Sequence, residues 1–256
     1  MAPKISSQQL RVLHDRAHKN FDTLCYELGY PGRLMVIGMS EDGKHMVQVY
    51  GVTSRSPDNQ NRRLKEVKGT VSTVPANAAT FTGDPEFVLY DAMMGNDHLH
   101  CVSNGKQTRD AWDGMRKGGD LISTLAMWHQ EDDSNDTPRI TGACEHITGG
   151  TKFSLAMLRG SRWGAGCERL QWIYENMPDG LGMFLSTYSG DGKPLPPFVG
   201  EPWLMPLTGD INHVAGAYEG ALDDEWPNFV ALAVKFIPLN GGTSIVVTRN
   251  KYPEVC

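Results

Sequence analysis

Several features that define whole classes of protein are missing from this chain of 256 residues. No apolar run approaches the roughly 18–20 residues that span a bilayer, and the first ten residues lack the apolar stretch of a secretion signal. Cysteine is sparse: five thiols, at positions 25, 101, 144, 167 and 256, are scattered without a C-x-x-C pair. An odd number of dispersed cysteines is typical of reduced thiols, so we expect a cytoplasmic protein with no membrane partner and no disulfide framework.

Basic residues are also in deficit. The chain has 24 Lys and Arg against 30 Asp and Glu, a formal net charge of −6. Binding to a nucleic-acid backbone relies on a basic excess, so we expect no nucleic-acid partner. There is no G-x-S-x-G motif, no phosphate-binding P-loop and no dinucleotide fingerprint. His98-x-His100 resembles half of a metal site, but no third ligand is spaced to complete it. We therefore expect no metal site.

Turn-forming residues are abundant, with 28 glycines and 15 prolines. Apolar residues at two-residue spacing between these turns outnumber helical patterns, which predicts antiparallel strands covered by two or three helices. The predicted fold class is α+β, in a single domain over residues 1–256. Helices are predicted at 8–28, at 107–130 and from Thr208 to about Leu222. Strands are predicted at 33–38, 46–53, 66–74, 86–93, 98–103, 139–147, 151–158, 168–174, 181–188, 228–237 and 243–248.

Four polar segments stand at the predicted ends of strands. Tyr30-Pro31-Gly32 would aim Arg33 from the start of a strand. The segment 54–63 carries three arginines, two serines and several amides, a set suited to holding phosphate or carboxylate. The segment 102–108 joins a strand to a helix, a place where anions and amides often bind. The segment 131–139 places four carboxylates beside an arginine. Each of the last three could instead be an ordinary solvated loop or turn.

Taken together and in order, these segments resemble the archaeal-type IMP cyclohydrolases. The matching words are Tyr-x-Gly-Arg at 30–33, Ser-Arg-Ser at 54–56, Asn-Arg at 61–62, Val-Ser-Asn-Gly at 102–105 and Asp-Thr-Pro-Arg-Ile at 136–140, with Tyr90 between them. The resemblance implies an αββα sandwich of two antiparallel sheets, like that of the N-terminal-nucleophile (Ntn) hydrolases. It also implies a cofactor-free closure of 5-formamidoimidazole-4-carboxamide ribotide to IMP, with a purine ribonucleotide as the small-molecule partner.

The same resemblance implies roles for individual residues. Ser54, Arg55, Asn61 and Arg62 would bind the substrate, mainly through its phosphate. Ser103 and Asn104 would hydrogen-bond the carboxamide, while Thr137 and Arg139 would line the same wall. The catalytic set would be Arg33, which stabilises negative charge on oxygen, Tyr90, which donates a proton or orients the formyl group, and Glu131 or Asp133 as the general base.

The chain departs from the family pattern in places. The N-terminal helix over 1–28 is an extension, and 63–84 reads as an insertion. Asp91 stands where an asparagine is expected, and Asp133 where a glutamate is expected. Two alternatives therefore stay open: an amide hydrolase of the same fold, and a non-catalytic protein that binds purine nucleotides. The sequence also leaves open whether the chain forms a homo-oligomer.

Overall fold

The computed structural model describes residues 5–223 and 228–252. Its longer helices are α1 (Ser7–Tyr26), α4 (Gln107–Arg116) and α6 (Ile211–Asp223), with the short helices α2 (Pro57–Gln60), α3 (Pro85–Val88) and α5 (Leu121–Thr124) and a 3₁₀ turn at Ala78–Thr80. The strands are β1 (Arg33–Met39), β2 (His45–Thr53), β3 (Arg62–Val67), β4 (Thr70–Pro75), β5 (Asp91–Gly95), β6 (Leu99–Ser103), β7 (Arg139–Ile147), β8 (Gly150–Gly160), β9 (Cys167–Glu175), β10 (Leu181–Ser186), β11 (Trp203–Pro206), β12 (Phe229–Pro238) and β13 (Ile245–Asn250).

These strands form two antiparallel sheets, as the alternating pattern predicts. The first sheet has six strands in the order β11-β10-β1-β2-β12-β13. The second has seven in the order β3-β4-β5-β6-β7-β8-β9. The central strands β1, β2 and β12 are buried over nearly their whole length, which agrees with their continuous apolar sequences. The α+β fold class is confirmed.

The two sheets pack face to face, with β1 against β7 and β2 against β6. Helices α1 and α6 cover the first sheet, while α4 and α5 cover the second. Leu34, Tyr50, Phe153 and Phe184 are among the large side chains that fill the space between these layers, and burial of their apolar surface is the main source of stability. The arrangement is that of a sandwich. Among the described residues, no helix combines the length and the hydrophobicity needed to cross a membrane.

Helix α1 packs on the sheet rather than standing apart from it. Ser6 is its N-cap and exchanges hydrogen bonds with Gln9, which confirms the predicted start. Ala17 and Leu24 are buried against the first sheet, chiefly against β11. The predicted N-terminal extension therefore belongs to the main hydrophobic core.

Several predicted boundaries are wrong for identifiable reasons. The strand predicted at 66–74 is a hairpin, because Lys68 and Gly69 both take positive φ and turn β3 into β4. The strand predicted at 86–93 is the helical turn α3 followed by β5, since Asp84 caps a helix that starts at Pro85. The helix predicted at 107–130 ends at Arg116, before the Gly118-Gly119 pair. Residues 63–84, read as an insertion, supply most of β3 and all of β4.

Two further details differ from expectation. Helix α6 begins at Ile211, and the cap is Asp210, whose carboxylate accepts the His213 N–H at 2.9 Å, rather than Thr208. Strand β11 is not among the predicted strands, because its four residues are too few to show a two-residue period. The four described cysteines are free thiols, and Cys256 lies outside the described residues.

Candidate functional site

The four polar segments meet at one end of the two sheets. Arg33 begins β1 and lies opposite Val52, near the end of β2, so the segment 54–62 leaves the sheet beside it. Ser103 ends β6 opposite Thr141, two residues after the start of β7. Antiparallel pairing places these ends together because each motif either starts or finishes a strand on the same side. The sheet topology thus brings together segments that are far apart in sequence.

The centre of this cluster is an ion pair between Arg33 and Glu131. Nη2 of Arg33 lies 3.1 Å from Oε1 and 2.9 Å from Oε2 of the carboxylate. Glu131 is only 1% exposed. Burial raises the pKa of Glu131, and the guanidinium groups of Arg33 and Arg139 act in the opposite direction. Burial acts to lower the pKa of Arg33, but Glu131 together with Tyr90, Tyr188 and Tyr50 more than offsets it, so the pKa lies well above its usual value.

Arg139 forms the second cationic wall of the same carboxylate. Its Nη1 lies 3.7 Å from Oε1 of Glu131 and donates to Oε1 of Gln107 at 3.1 Å. Its guanidinium lies over the ring of Trp128, 4.9 Å from the ring centre. These contacts hold Arg139 from three sides, so Glu131 sits in a fixed, positively charged setting.

Two tyrosine hydroxyls lie beside this ion pair. The hydroxyl of Tyr90 is 2.7 Å from that of Tyr50, and both residues are buried. Burial raises the pKa of Tyr50 well above its usual value, and the neighbouring Tyr90 adds to the rise. Both tyrosines contribute to the electrostatic setting of Arg33. A pair of phenol hydroxyls next to a guanidinium can donate hydrogen bonds to an oxygen that gains charge.

Arg62 is the least satisfied charge in the cluster. Its side chain is 2% exposed, and its Nε and Nη1 atoms have no hydrogen-bond partner among the described residues. Burial lowers the pKa of Arg62, with Tyr90 opposing and Arg33 reinforcing the shift. Arg33 also has a buried Nε without a partner in the described part of the chain. Buried donors of this kind are rare, and an anionic ligand would satisfy them.

The two acidic candidates have different roles in the structure. Oδ1 of Asp133 accepts the N–H groups of Asn135 and Thr137, at 3.1 Å and 2.9 Å, and Oδ2 accepts the Thr137 hydroxyl at 2.6 Å. The Thr137 oxygen is also 2.5 Å from the hydroxyl of Tyr188. Asp133 therefore shapes the loop, while Glu131 keeps its carboxylate for the arginines.

Asn104 connects the segment 102–105 to the strand that follows the acidic loop. Its Nδ2 donates to the carbonyl of Pro138 at 2.9 Å, and its Oδ1 accepts the N–H of Ile140 at 2.8 Å and Nε2 of Gln107 at 3.1 Å. Ser103 hydrogen-bonds the Thr108 hydroxyl. Both side chains are fully buried and engaged with the protein, so their proposed contacts to substrate stay predictions.

The rest of the segment 54–62 forms a more exposed rim. Arg55 forms an ion pair with Asp191 and lies 5.1 Å from the ring centre of Tyr30. Ser54 is buried and donates to the carbonyl of Ser56 at 3.2 Å. Asn61 Nδ2 donates to the carbonyl of Asn77 at 3.0 Å. The structure therefore separates a buried arginine, Arg62, from an exposed one, Arg55.

A cavity of about 480 Å³ adjoins the cluster, a volume within the range of small-molecule sites. Two of its lining residues contact residues of the cluster. Tyr90 hydrogen-bonds Tyr50, and the ring of Trp128 packs against the guanidinium of Arg139. The other lining residues are Ser72, Thr73, Leu89, Asp91, Lys106, Arg109 and Asp110. Asp91 accepts hydrogen bonds from Ser72 and Arg109 here, so the departure from asparagine supplies a charge that Arg109 neutralises. No group of three potential metal ligands occurs among the described residues.

Tyr50 and Tyr188 are parts of the site that the sequence pattern does not single out. Tyr50 lies within an apolar strand, where it cannot be told from a core residue. Tyr188 follows β10, which ends at Ser186, opposite the start of β1. The pairing of β10 with β1, at a separation of about 150 residues, is what carries Tyr188 to the site. Two-residue periodicity predicts strands but not which strands pair.

The structure thus defines an α+β protein with a cluster of buried arginines around a buried carboxylate at one end of two packed antiparallel sheets. The model of the IMP cyclohydrolase-like protein family matches residues 30–237. The chain belongs to that family, which confirms the resemblance seen in the motifs and supports the function of an IMP cyclohydrolase. The match begins after α1 and includes every candidate site residue. No curated protein matches the chain.

Proposed function

We propose that this protein closes the ring of 5-formamidoimidazole-4-carboxamide ribotide to IMP with loss of water, and that it needs no cofactor. The observation that carries the proposal is the pairing of a buried Glu131 with Arg33, next to a buried Arg62 of which two nitrogens have no hydrogen-bond partner among the described residues. One carboxylate for proton transfer and an unsatisfied cation for an anionic ribotide are what this reaction requires. Membership of the IMP cyclohydrolase-like family supports the choice of substrate.

The reaction joins two groups on one imidazole ring. The carboxamide nitrogen attacks the formyl carbon and forms a C–N bond, giving a tetrahedral intermediate. The carboxamide nitrogen loses one proton, and the formamide nitrogen loses a second as it forms the C=N bond to the same carbon. The former formyl oxygen takes up two protons in total and leaves as water. Because nucleophile and electrophile are already neighbours, the enzyme gains most by holding the formyl group in the attacking rotamer and by moving protons.

Glu131 suits the role of general base. Its pKa is raised by burial, so the carboxylate accepts a proton more readily than an exposed one would. Arg33 holds both oxygens of Glu131 and would stabilise negative charge on the amide or formyl oxygen. Asp133 is occupied by the loop, so we assign it a positioning role, together with Thr137.

Tyr90 is the proposed proton donor to the departing oxygen. Its hydroxyl bonds that of Tyr50, and a hydrogen bond from Tyr50 would stabilise the oxygen of Tyr90 as it gives up its proton. Arg139 would line the wall beside Glu131. Ser103 and Asn104 would position the carboxamide, Asn104 by fixing the loop that carries Thr137.

Phosphate binding falls to the segment after β2. Arg62 would donate a charge-assisted hydrogen bond to the phosphate from inside the site. Arg55 would donate a second one from the rim, replacing its ion pair with Asp191. Ser54 and Asn61 would add polar contacts. Binding energy from the phosphate, which takes no part in the chemistry, can hold the reacting ring in place. We also propose that the sandwich is of the Ntn-hydrolase type.

The test is direct. Purified protein is added to the formamido ribotide in buffer with a chelator, and IMP formation is followed by absorbance. The expected result is acceleration that Glu131→Gln abolishes and that Glu175→Gln, an exposed carboxylate on β9, leaves unchanged. No acceleration with tight IMP binding would indicate a non-catalytic nucleotide-binding protein. Hydrolysis of amide substrates without IMP formation would indicate an amide hydrolase.

A further inference from the structure

Sheet edges expose unpaired backbone groups, and natural proteins cover or blunt them. In the described part of the chain, three of the four sheet edges are covered. At the edges β13 and β3, the side chain of Asn250 accepts the Leu64 N–H at 2.8 Å and donates to the Leu64 carbonyl at 3.1 Å. At the edge β11, helix α1 packs along the strand and Asn20 donates to the Leu204 carbonyl at 2.8 Å. In both places the side-chain amide of an asparagine hydrogen-bonds the edge backbone, as the backbone of a neighbouring strand would.

The fourth edge, β9, has no such side-chain cover among the residues that the structure describes. This strand of nine residues pairs with β8 on one side, and no strand pairs with its other side in the described part of the chain. It contains neither proline nor glycine. In an antiparallel pair, alternate residues direct both the N–H and the C=O away from the partner. The free side of β9 therefore offers a regular row of donors and acceptors.

Apolar side chains are exposed along the same edge. Ile173 on β9 is 54% exposed, and Trp163, in the turn that leads into β9, is 86% exposed. Met127 is 89% exposed, and its neighbours Ala126 and Trp128 are held to β9 by Arg169, whose Nη2 donates to their carbonyls at 3.1 Å and 2.8 Å. Exposed hydrophobic groups beside an open strand edge are typical of an interaction site.

We propose that β9 pairs antiparallel with β9 of a second copy of this chain, across a two-fold axis at Trp172. A two-fold axis perpendicular to the sheet keeps each side chain on its own face, so opposing residues must be an even number of positions apart. Centring the axis on Trp172 places Arg169 opposite Glu175 of the partner subunit, twice by symmetry. Centring it on Gln171 or Ile173 leaves Arg169 facing an apolar residue.

The remaining pairs in this register are also compatible. Leu170 faces Tyr174 of the partner subunit on the inner side, where both already pack against the core, and Gln171 faces Ile173 of the partner subunit on the outer side. Arg169 donates to these carbonyls through Nη2 alone. The two bonds fix the orientation of the guanidinium and leave its Nε and Nη1 atoms to donate to a carboxylate. The pairing would join two seven-stranded sheets into one of fourteen strands.

The experiment compares oligomeric state by sedimentation and light scattering in matched variants of the full chain. Ile173→Lys places a charge on the free edge, and Ile245→Lys places the same charge at an equally exposed isoleucine, 55% exposed, on β13. The wild type and the β13 variant should be dimers and the β9 variant a monomer. Circular dichroism should show all three folded. A monomeric wild type, or a dimer that the β13 change dissociates and the β9 change does not, would overturn the proposal.

The register has its own test. Glu175→Arg alone should weaken the dimer about tenfold, because each end then opposes two arginines. Combining it with Arg169→Glu restores opposite charges in exchanged positions and should recover the dimer. This recovery separates a contact across the axis from a structural role of either residue. If the double variant dissociates as much as Glu175→Arg alone, the axis does not lie at Trp172.

Discussion

Nη2 of Arg33 contacts both carboxylate oxygens of Glu131, at 3.1 Å and 2.9 Å, although the two residues are 98 positions apart in the sequence. The pair is buried, so each partner depends on the other: an isolated carboxylate or guanidinium in this setting would carry a large desolvation cost. The same contact gives the carboxylate a fixed orientation. Arg33 therefore orients Glu131 and, together with Arg139, opposes the rise that burial gives to its pKa.

Replacing Glu131 with Gln should separate the two acidic candidates. The amide keeps the shape but cannot accept the proton, so we expect kcat to fall by about 10²-fold or more with little change in KM. Asp133→Asn keeps an acceptor for the two backbone N–H groups and weakens the contact to Thr137. It should leave kcat within about tenfold and lower stability by about 1 kcal/mol. Steady-state kinetics and thermal unfolding of both variants measure these differences.

The pH profile provides the control for that assignment. A general base must be ionised, so kcat/KM should fall as pH drops through the pKa of Glu131, which burial places above the ordinary glutamate range of about 4.3. The acid limb should be missing from the residual activity of Glu131→Gln. An equal loss of kcat in Asp133→Asn, with stability unchanged, would assign the base to Asp133 instead.

The motifs that begin or end strands could be predicted from the sequence because turn residues fix where those strands stop. Arg33, after Pro31-Gly32, and Arg139, after Pro138, lie at strand starts as predicted. The partners of these residues could not be predicted. Which of Glu131 and Asp133 contacts the arginines depends on hydrogen bonds inside the loop, and both have the same charge and a similar spacing.

In the fold, too, local features could be predicted from the sequence and long-range contacts could not. Strand hairpins with clear turns, such as β1–β2 and β12–β13, were predicted within one or two residues. The predicted strand at 66–74 is wrong because Lys68 adopts a positive φ, and a lysine at this position does not predict that conformation. Tyr50 and Tyr188 reach the site only through long-range strand pairing, which local patterns do not encode.

The two contacting tyrosines should differ in their effect on catalysis but not on stability. Tyr90→Phe and Tyr50→Phe each leave the other hydroxyl buried without its partner, so each should cost about 1–3 kcal/mol of unfolding free energy. The double variant should cost less than the sum of the two. Only Tyr90→Phe should lower kcat by about 10²-fold, with about tenfold for Tyr50→Phe. A larger loss of kcat in Tyr50→Phe than in Tyr90→Phe would reverse the assignment of the proton donor.

His100 should make the stability of the protein depend on pH. Burial lowers its pKa to about 3, and the nearby Lys235 and His146 act in the same direction. The folded state keeps His100 neutral, whereas the unfolded chain binds a proton below about pH 6.5, so stability should be lost as pH falls from about 6.5 towards 3, by about 1 kcal/mol per pH unit. Urea unfolding across this range measures the slope. His100→Gln should reduce it, and His98→Gln, at an exposed position, should not.

We expect Arg62 to lower the free energy of unfolding of the protein and to strengthen ligand binding. Its guanidinium is buried, and two of its nitrogens have no hydrogen-bond partner in the described ranges 5–223 and 228–252, so the folded protein carries a costly buried charge there. Arg62→Met keeps most of the length and apolar contact while removing that charge. We expect the free energy of unfolding to rise by about 1–2 kcal/mol and the Kd for IMP to rise by about 10- to 100-fold.

Arg55→Met is the matched comparison, because Arg55 lies at the rim of the same segment and is already paired with Asp191. An exposed ion pair contributes little, so its loss should change stability by less than about 0.5 kcal/mol and should weaken IMP binding less than Arg62→Met does. Urea unfolding and calorimetric titration with IMP measure both quantities. If Arg62→Met destabilises the protein and leaves IMP binding unchanged, Arg62 is a structural residue. The phosphate would then be bound by Arg55 and its neighbours, since they provide the other cationic group of the segment that follows β2.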